Sequence, residues 1–217
     1  MRSWSADHPK AKLLQLKQQV ILNAARQEFL RAGYGGTSME AVSRAADVSI
    51  ATLYRHASTK EELFRAIVSQ STDAELFDEK ELQGLAKQPL SDALASFAVR
   101  YLEVQLGTDR IALQRMVIAE MVRFPDLGAD AYAAGIGGAS ALLGHLLDSR
   151  PGGNALWGKN PREAARRFLG MLAGDLQMRA LLGVSLPTTV RSKADYAARV
   201  VDAFLGANCL LAVTHDR

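Results

Sequence analysis

The sequence predicts an all-α fold of about nine helices, with a small amino-terminal three-helix unit followed by a larger helical bundle. Two observations lead to this prediction. Apolar residues recur at three- and four-residue spacing along most of the 217 residues, and β-branched residues nowhere alternate with polar ones over the length of a strand. Capping residues, glycines and prolines also divide the chain into segments of helical length.

Composition narrows the class of protein. Apolar residues make up 48% of the chain, which allows a sizeable core, and the single cysteine, Cys209, excludes an intrachain disulfide. The chain contains no uncharged apolar run of membrane-spanning length, and no apolar signal segment precedes its first charges. We therefore expect a cytoplasmic protein without a membrane partner.

Positive charge is concentrated near the amino terminus. Residues 1–65 hold ten basic and six acidic residues, a net charge of +4, whereas the other 152 residues hold sixteen and seventeen. A basic unit joined to a near-neutral body favours attraction of phosphate groups by that unit alone. An excess of four charges is small enough to arise by chance.

Residues 37–64 predict two short helices joined by a tight turn, followed by the start of a third helix. Thr37 or Ser38 can cap the first helix. Its predicted buried stripe is Met39, Val42 and Ala46. Asp47 tolerates a left-handed backbone, which places the turn there, and Ser49 can cap the second helix, residues 50–56. Such a unit is typical of a helix-turn-helix DNA reader, and also of three capped helices in an ordinary α-helical domain.

The residues of this stretch resemble the signature of the tetracycline-repressor (TetR) family of bacterial regulators. The matching runs are Thr52-Leu53-Tyr54-Arg55-His56, Lys60-Glu61-Glu62-Leu63-Phe64 and the upstream Phe29, Gly33-Tyr34 and Thr37-Ser38-Met39. The resemblance covers roughly residues 20–68 and implies a DNA-binding head. Two positions depart from the family pattern: Asp47 stands where a turn glycine is usual, and Ala57 stands where an aromatic follows the histidine.

The chemistry of the predicted head assigns two classes of DNA contact. Hydroxyl, ring N–H and ammonium groups suit phosphate oxygens, which points to Ser38, Ser49, Tyr54, His56 and Lys60. Arg44 is also expected to contact DNA. The residues expected nearest the base edges are Ile50, Ala51, Thr52 and Arg55. The expected partner is double-stranded DNA carrying a pseudo-palindromic operator.

The whole chain divides into a disordered arm (residues 1–12), a helix-turn-helix DNA-binding domain (13–65, with the motif at 38–57) and an effector-binding and dimerisation domain (66–217). Ile21, Ala25 and Phe29 predict the buried stripe of the first helix, and Gly33 its end. Residues 84–89 predict a break. The predicted helices span residues 13–32, 38–46, 50–56, 60–76, 89–106, 109–123, 127–148, 162–182 and 193–211.

The larger domain carries more big apolar and soft side chains than single helix faces need, which favours a pocket for a small hydrophobic effector. Its expected lining is Phe97, Tyr101, Met116, Glu120, Met121, Met171, Asp175 and Met178. Core packing and ion pairs are the alternative for each residue alone. The segment from Phe124 to Gly183 loosely resembles the regulatory domain of an efflux- and stress-regulator subgroup of the family.

The family resemblance also implies an assembly. In TetR-like proteins the last two helices pair with their copies, which makes this chain a homodimer. The expected interface residues are Leu172, Leu176, Val200 and Phe204. The resemblance further implies that the helix beginning at Lys60 ties the DNA head to the body, and that its shift releases DNA when an effector binds.

Residue patterns for catalysis, metals or cofactors are absent from the sequence. The four histidines are scattered without a second ligand at metal spacing, and the glycines at 135–138 lack both a preceding strand and phosphate-loop spacing. We therefore predict a DNA-binding transcriptional regulator, most simply an effector-released repressor without a cofactor or a metal. The alternatives are an activator of the same fold, a helical enzyme with no recognisable site, and a helical interaction module that does not bind DNA.

Overall fold

The computed structural model describes residues 9–70, 76–150, 160–186 and 192–214, and the side chains of 13–206 within these ranges. Every regular element in them is helical. The elements are α1 (Pro9–Gly36), α2 (Met39–Ala45), α3 (Ile50–His56), α4 (Lys60–Gln70), α5 (Glu79–Lys87), α6 (Leu90–Gln105), α7 (Thr108–Glu120), α8 (Asp126–Tyr132), a π-helix (Ala133–Gly137), α9 (Gly138–Asp148), α10 (Pro161–Leu182) and α11 (Lys193–Thr214). The predicted all-α fold is confirmed.

The chain forms two compact units. The first consists of Met1–Gln70 and Met116–Asp130, and the second of Ser71–Arg115 and Ala131–Arg217. The division predicted from the sequence, at residue 66, stays a prediction. In the described parts of the chain no helix is long and apolar enough to cross a membrane.

The first unit has its core on one side of α1. Ile21, Ala25 and Phe29 are buried there, as the four-residue spacing predicts. The helical path is interrupted at Gly33, whose φ of 72° is accessible to glycine at little cost. The hydroxyl of Thr37 donates to the carbonyl of Gly33 at 2.8 Å and so ties the end of α1 to the start of α2.

An aromatic cluster joins the elements of the first unit. The Tyr34 ring lies 5.3 Å from that of Phe64 on α4 and 5.5 Å from that of Phe124, both in edge-on geometry. Arg65 adds an ionic contact, because its guanidinium lies 2.9 Å from Asp130 and 3.6 Å from Asp126. Segment 116–130 therefore belongs with the first unit through both packing and charge.

The second unit is built around α10. Asn160 caps this helix by accepting from the Glu163 N–H at 3.0 Å, Pro161 occupies its first turn as predicted, and Gly183 ends it with a left-handed backbone. A Cβ on Gly144 would lie only 2.9 Å from the Cα of Arg162, so glycine is required for α9 and α10 to pack this closely.

In the same unit two arginine side chains donate hydrogen bonds to carbonyl groups at the carboxyl ends of helices. Arg115 donates to the carbonyl oxygens of Leu181 at 2.8 Å and Ala180 at 2.7 Å, in the last turn of α10. Arg150 donates to the carbonyls of Leu85 and Gln88 at the end of α5. The carbonyls of Ala180 and Leu85 also accept from the backbone N–H groups of Gly183 and Gln88, so the arginines add further donors at helix ends, where carbonyls lack part of their intrahelical bonding.

The structure corrects three sequence predictions about elements. The break expected at 84–89 is wrong, since α5 runs through Gly84 to Lys87 and is started by a reciprocal capping box between Asp78 and Glu81. The expected disordered arm lies mostly outside the described residues, but its last four residues, 9–12, are helical. The single helix expected at 127–148 contains a π-helical turn at its glycines.

Candidate nucleic-acid interface and ligand cavity

In the helix-turn-helix unit both helices begin at capping serines, at the positions predicted from the sequence. Ser38 caps α2 by accepting from the Ala41 N–H at 3.1 Å, and Ser49 caps α3 by accepting from the Thr52 N–H at 3.2 Å. Between them Asp47 adopts a φ of 52°, in the left-handed region that the sequence assigned to the turn. The N–H of Asp47 donates to the carbonyl of Arg44, and the N–H of Val48 donates to the carbonyl of Ser43. These two hydrogen bonds close the turn.

Helix α3 presents one buried and one exposed face. Leu53 is completely buried in the first unit, whereas Ile50, Ala51, Tyr54 and Arg55 are exposed. An exposed face of apolar, small, hydroxyl and guanidinium groups on a seven-residue helix suits a DNA groove, where Arg reads guanine and methyl groups meet thymine. The predicted assignment of these four side chains to DNA contacts stays a prediction.

Thr52 lies elsewhere than expected. It is only 9% exposed, and its hydroxyl lies 2.8 Å from that of Ser49. It also accepts from an Arg55 Nη at 3.1 Å. The expectation that Thr52 reaches base edges is therefore wrong for this conformation, because the cap at the start of α3 turns its hydroxyl inward. Thr52 positions Arg55, which remains exposed.

Lys60, which is expected from the sequence to contact a phosphate, makes hydrogen bonds within the protein. Its Nζ donates to the carbonyl oxygens of Tyr34 at 2.7 Å and Thr37 at 2.9 Å, and lies 4.6 Å from the centre of the Tyr34 ring. An ammonium group has three hydrogens, so two of them close the loop between α1 and α2 and one is left for a phosphate.

Three other expected phosphate contacts, and the expected DNA contact Arg44, keep the necessary exposure. Ser38, Arg44 and Ser49 are exposed, and His56 is half-buried. The two serine hydroxyls accept from backbone N–H groups as caps, but the Ser38 O–H is still able to donate to a phosphate oxygen.

A cavity of about 180 Å³ lies in the second unit. Its walls are Tyr101, Tyr132, Ile136, Arg166, Leu169, Gly170, Gly174 and Gln177. The π-helical turn supplies Ile136, while α10 supplies the last five residues. Two aromatic rings and two aliphatic side chains make the lining mostly apolar, and a guanidinium and an amide add polar groups, as in small-molecule sites generally.

A chain of amide groups leads from this cavity into the core. Gln177 Nε2 donates to Gln114 Oε1 at 3.3 Å, and Gln114 Nε2 donates to Gln105 Oε1 at 3.1 Å. Gln105 is 1% exposed, and its Nε2 has no hydrogen-bond partner among the described residues. In this arrangement the Gln177 carbonyl oxygen remains able to accept from a hydroxyl or N–H of a ligand.

Tyr101 borders the cavity from the core side. Burial raises the pKa of its hydroxyl to about 12, against a smaller lowering by the nearby Arg110. The side chain therefore contributes an uncharged group to the cavity wall.

The expected effector residues are not brought together. Of the eight, Tyr101 lines the cavity, and Phe97 is completely buried in the core of the same unit. Met171, Asp175 and Met178 lie on an exposed face of α10. Their helical spacing makes them resemble a pocket lining, but they are turned away from the buried row. The other three expected residues belong to the first unit: Met116, Glu120 and Met121.

The expected dimer interface also needs correction. Leu172, Leu176 and Phe204 are buried within the unit itself, where the Phe168 and Phe204 rings lie 5.1 Å apart. They cannot contact a second copy, and Val200 is half-buried. Sequence periodicity identifies the apolar rows of α10 and α11, but it cannot tell which row the unit's own core uses.

The cavity residues that sequence reasoning missed have a recognisable pattern. Arg166, Gly170, Gly174 and Gln177 recur at spacings of four, four and three, which places them on one strip of α10. Glycine at two such positions lowers helix propensity without being needed for a turn. Two glycines on the same helical strip as Arg166 and Gln177 are therefore the sequence feature from which this wall of the cavity could have been predicted.

Comparison with known proteins agrees with this geometry. A family model described as "Bacterial regulatory proteins, tetR family" matches residues 21–67. A second, described as "AefR-like transcriptional repressor, C-terminal domain", matches residues 92–207, more than half of the chain. Over 56 residues the chain is 41% identical to the HTH-type transcriptional regulator UidR of Escherichia coli strain K12; this part is 26% of the chain and 29% of UidR.

Two solved structures extend the similarity to most of the chain. A TetR-family transcriptional regulator from Mesorhizobium loti MAFF303099 is 27% identical, with a TM-score of 0.77 over 89% of this chain and 96% of its own. The flavonoid-responsive regulator FrrA is 32% identical, with a TM-score of 0.65 over 89% of this chain and 97% of its own.

Proposed function

Because the chain belongs to the TetR family of transcriptional regulators, whose members bind DNA and dimerise, we propose that it is a repressor that an aromatic effector releases from its operator. The observation that carries the proposal is the exposed face of α3, held by the Ser49 cap and the buried Leu53. A homodimer with two such helices would read the two halves of a pseudo-palindrome.

The DNA-binding part is tested by selecting operators from a random duplex pool and measuring affinities for the selected sequence and its single-base variants. Arg55→Ala should cost about 1–3 kcal/mol of binding and relax preference at one base position, because Arg55 is assigned to a base edge. Arg44→Ala is the matched control. It should weaken all sequences alike and reduce the salt slope by about one, because we place Arg44, exposed on α2, against a phosphate. Equal loss on all sequences with Arg55→Ala would contradict the assignment.

The proposed effector binds the cavity of the second unit. Tyr101 and Tyr132 supply aromatic surface, Ile136 and Leu169 supply aliphatic surface, and Gln177 offers an acceptor. Arg166 is able to pair with an acidic group, although Glu163 lies 3.3 Å from it. These groups suit an aromatic molecule with hydroxyl or acidic substituents. The similarity to FrrA, a flavonoid-responsive protein, points in the same direction.

A ligand releases DNA only when it binds the DNA-incompetent arrangement more tightly, and a coupling of about 1–3 kcal/mol is typical. Hydroxylated flavones and simple phenolic acids should therefore raise the melting temperature and weaken operator binding together, while aliphatic acids of similar size should do neither. Gln177→Leu should reduce both effects, and Gln83→Leu, an exposed change on α5, should preserve them. A panel with no compound that alters operator affinity would refute the effector proposal and leave the DNA-binding proposal intact.

The proposed dimer surface is the exposed strip of α10. Met171, Met178 and Leu182 are 46%, 56% and 71% exposed at positions four to seven residues apart. Solvent-exposed apolar side chains in a row on one helix mark a surface that associates. Met178→Asp should give monomers in sedimentation velocity. A monomeric wild-type chain at micromolar concentration would contradict the proposal.

A further inference from the structure

We propose that a second copy of this chain closes the ligand cavity of the second unit, so that the site is incomplete in a single chain. This inference rests on the proposed dimer. It concerns the strip of α10 formed by Gly170 and Gly174, which we call the cavity mouth.

Because both residues of the cavity mouth are glycines, the surface there consists of backbone atoms and not of side chains. Gly170 and Gly174 line the cavity and are exposed, and a Cβ built on either would meet nothing within 4 Å. The wall of the cavity therefore ends in open space at two glycines one helical turn apart. Two glycines at this spacing let the backbone of another helix approach more closely than larger residues would.

The apolar strip lies directly beside the mouth on the same helix. Met171 follows Gly170, and Met178 lies four residues after Gly174, so that the two strips differ by roughly a quarter of a turn or less around α10. A single partner surface that covers the exposed methionines and Leu182 would therefore cover the glycines as well. The proposed interface and the mouth are continuous.

The surface next to the mouth is firmly held, as an interface needs to be. The Tyr196 hydroxyl of α11 donates to the Leu172 carbonyl of α10 at 3.0 Å, and Phe168 and Phe204 pack across the same two helices. An interface between identical copies with two-fold symmetry uses the same patch on both partners, so α10 would meet its own copy or the neighbouring α11.

Closure by a partner has a thermodynamic consequence. A ligand that contacts both copies binds the dimer more tightly than the monomer, and by linkage it tightens the dimer by the same factor. Regulation of the site would then depend on protein concentration as well as on effector concentration.

The experiment measures access to the mouth without requiring an identified ligand. Cys209→Ser removes the chain's single thiol. Gly170→Cys and Gly174→Cys are each made in that background and labelled with N-ethylmaleimide. The matched control is Gly84→Cys, another exposed helical glycine of the same unit with open space around its Cβ position. Adding Met178→Asp to each variant supplies the monomer, and sedimentation velocity reports the oligomeric state of every sample.

The expected result is that labelling of the Gly170→Cys and Gly174→Cys variants slows about tenfold when nine-tenths of the chain is dimeric, since only the monomer fraction reacts. Labelling of the Gly84→Cys variant should be the same in both states. Equal rates at the mouth in dimer and monomer would overturn the closure while leaving the dimer standing. Slow labelling in the monomer as well would show that a part of the same chain covers the cavity mouth, and this result would also overturn closure by a second copy. Absence of a dimer, or a dimer unaffected by Met178→Asp, would remove the premise as well as the closure.

Discussion

Lys60 shows how one cation in a DNA-binding unit can be held by the fold. Two of its hydrogens go to the carbonyls of Tyr34 and Thr37. We expect Lys60→Met to lower the free energy of unfolding by about 1.5–3 kcal/mol, the usual cost of losing charged hydrogen bonds. Urea titration measures this loss.

Arg44→Met is the control for the Lys60 substitution, because Arg44 is exposed on α2. It should leave the unfolding free energy nearly unchanged and lower the salt slope of operator binding by about one. If Lys60→Met lowers the salt slope without changing stability, the phosphate contact predicted from the sequence is the main role of Lys60, and the loop-closing role is secondary.

Tyr101 makes stability depend on pH at high pH. Its pKa of about 12 in the folded state exceeds the ordinary value of about 10, so the unfolded chain loses this proton first as the pH rises. The stabilisation is complete below pH 10 and should fall by roughly 2–3 kcal/mol through pH 12. Tyr101→Phe should flatten this part of the curve in denaturant titrations at fixed pH. A wild-type slope that persists in Tyr101→Phe would assign the effect to Tyr34 or Tyr196, whose pKa values burial also raises.

At the scale of elements, the turn between α2 and α3 depends on one left-handed residue. Asp47 has a φ of 52°, and an aspartate tolerates this region better than an alanine does. Asp47→Ala should therefore be less stable than Asp47→Gly by about 1 kcal/mol, measured by chemical denaturation. Equal stability of the two variants would mean that the turn relaxes to another conformation.

Caps and turns are the elements that the sequence predicts best. Ser49, Asp47 and Pro161 each act through their own backbone neighbours, so their roles can be recognised without knowledge of the rest of the fold. Helix α5 escapes prediction because Gly84 suggests a break. The Asp78 and Glu81 capping box outweighs the propensity cost of one glycine.

Packing between elements is harder to predict. Periodicity identifies Leu172 and Met171 as apolar positions of one helix, but only the positions of α11 and the other helices decide that Leu172 is buried and Met171 is exposed. Thr52 is misplaced for a similar reason, because its hydroxyl is claimed by Ser49 and Arg55 rather than left on the reading face. The effector cavity depends on such tertiary relations throughout, which explains why Tyr101 is the one predicted lining residue that borders it.

At the scale of the whole molecule, the proposed dimer fixes the geometry of the operator. Its two α3 helices should be roughly 34–36 Å apart, one turn of B-DNA. Inserting about five base pairs, half a helical turn, between the half-sites would turn one of them to the opposite face, so affinity should fall to that of a single half-site. Electrophoretic mobility or fluorescence anisotropy titrations measure this. Unchanged affinity after the insertion would contradict a two-fold dimer with rigidly spaced reading helices.

The arginines directed at helix ends affect how the molecule approaches DNA. The guanidinium groups of Arg115 and Arg150 face the carboxyl ends of α10 and α5, each of which carries roughly half a negative charge, so part of their field is cancelled at its source. At separations near the screening length of about 8–10 Å, exposed cations of the first unit such as Arg44 and Arg55 would dominate the attraction. Diffusional encounters at low ionic strength would then be biased in orientation before any groove contact forms, and the association rate would reflect the charge of the head rather than the net charge of +3 of the chain.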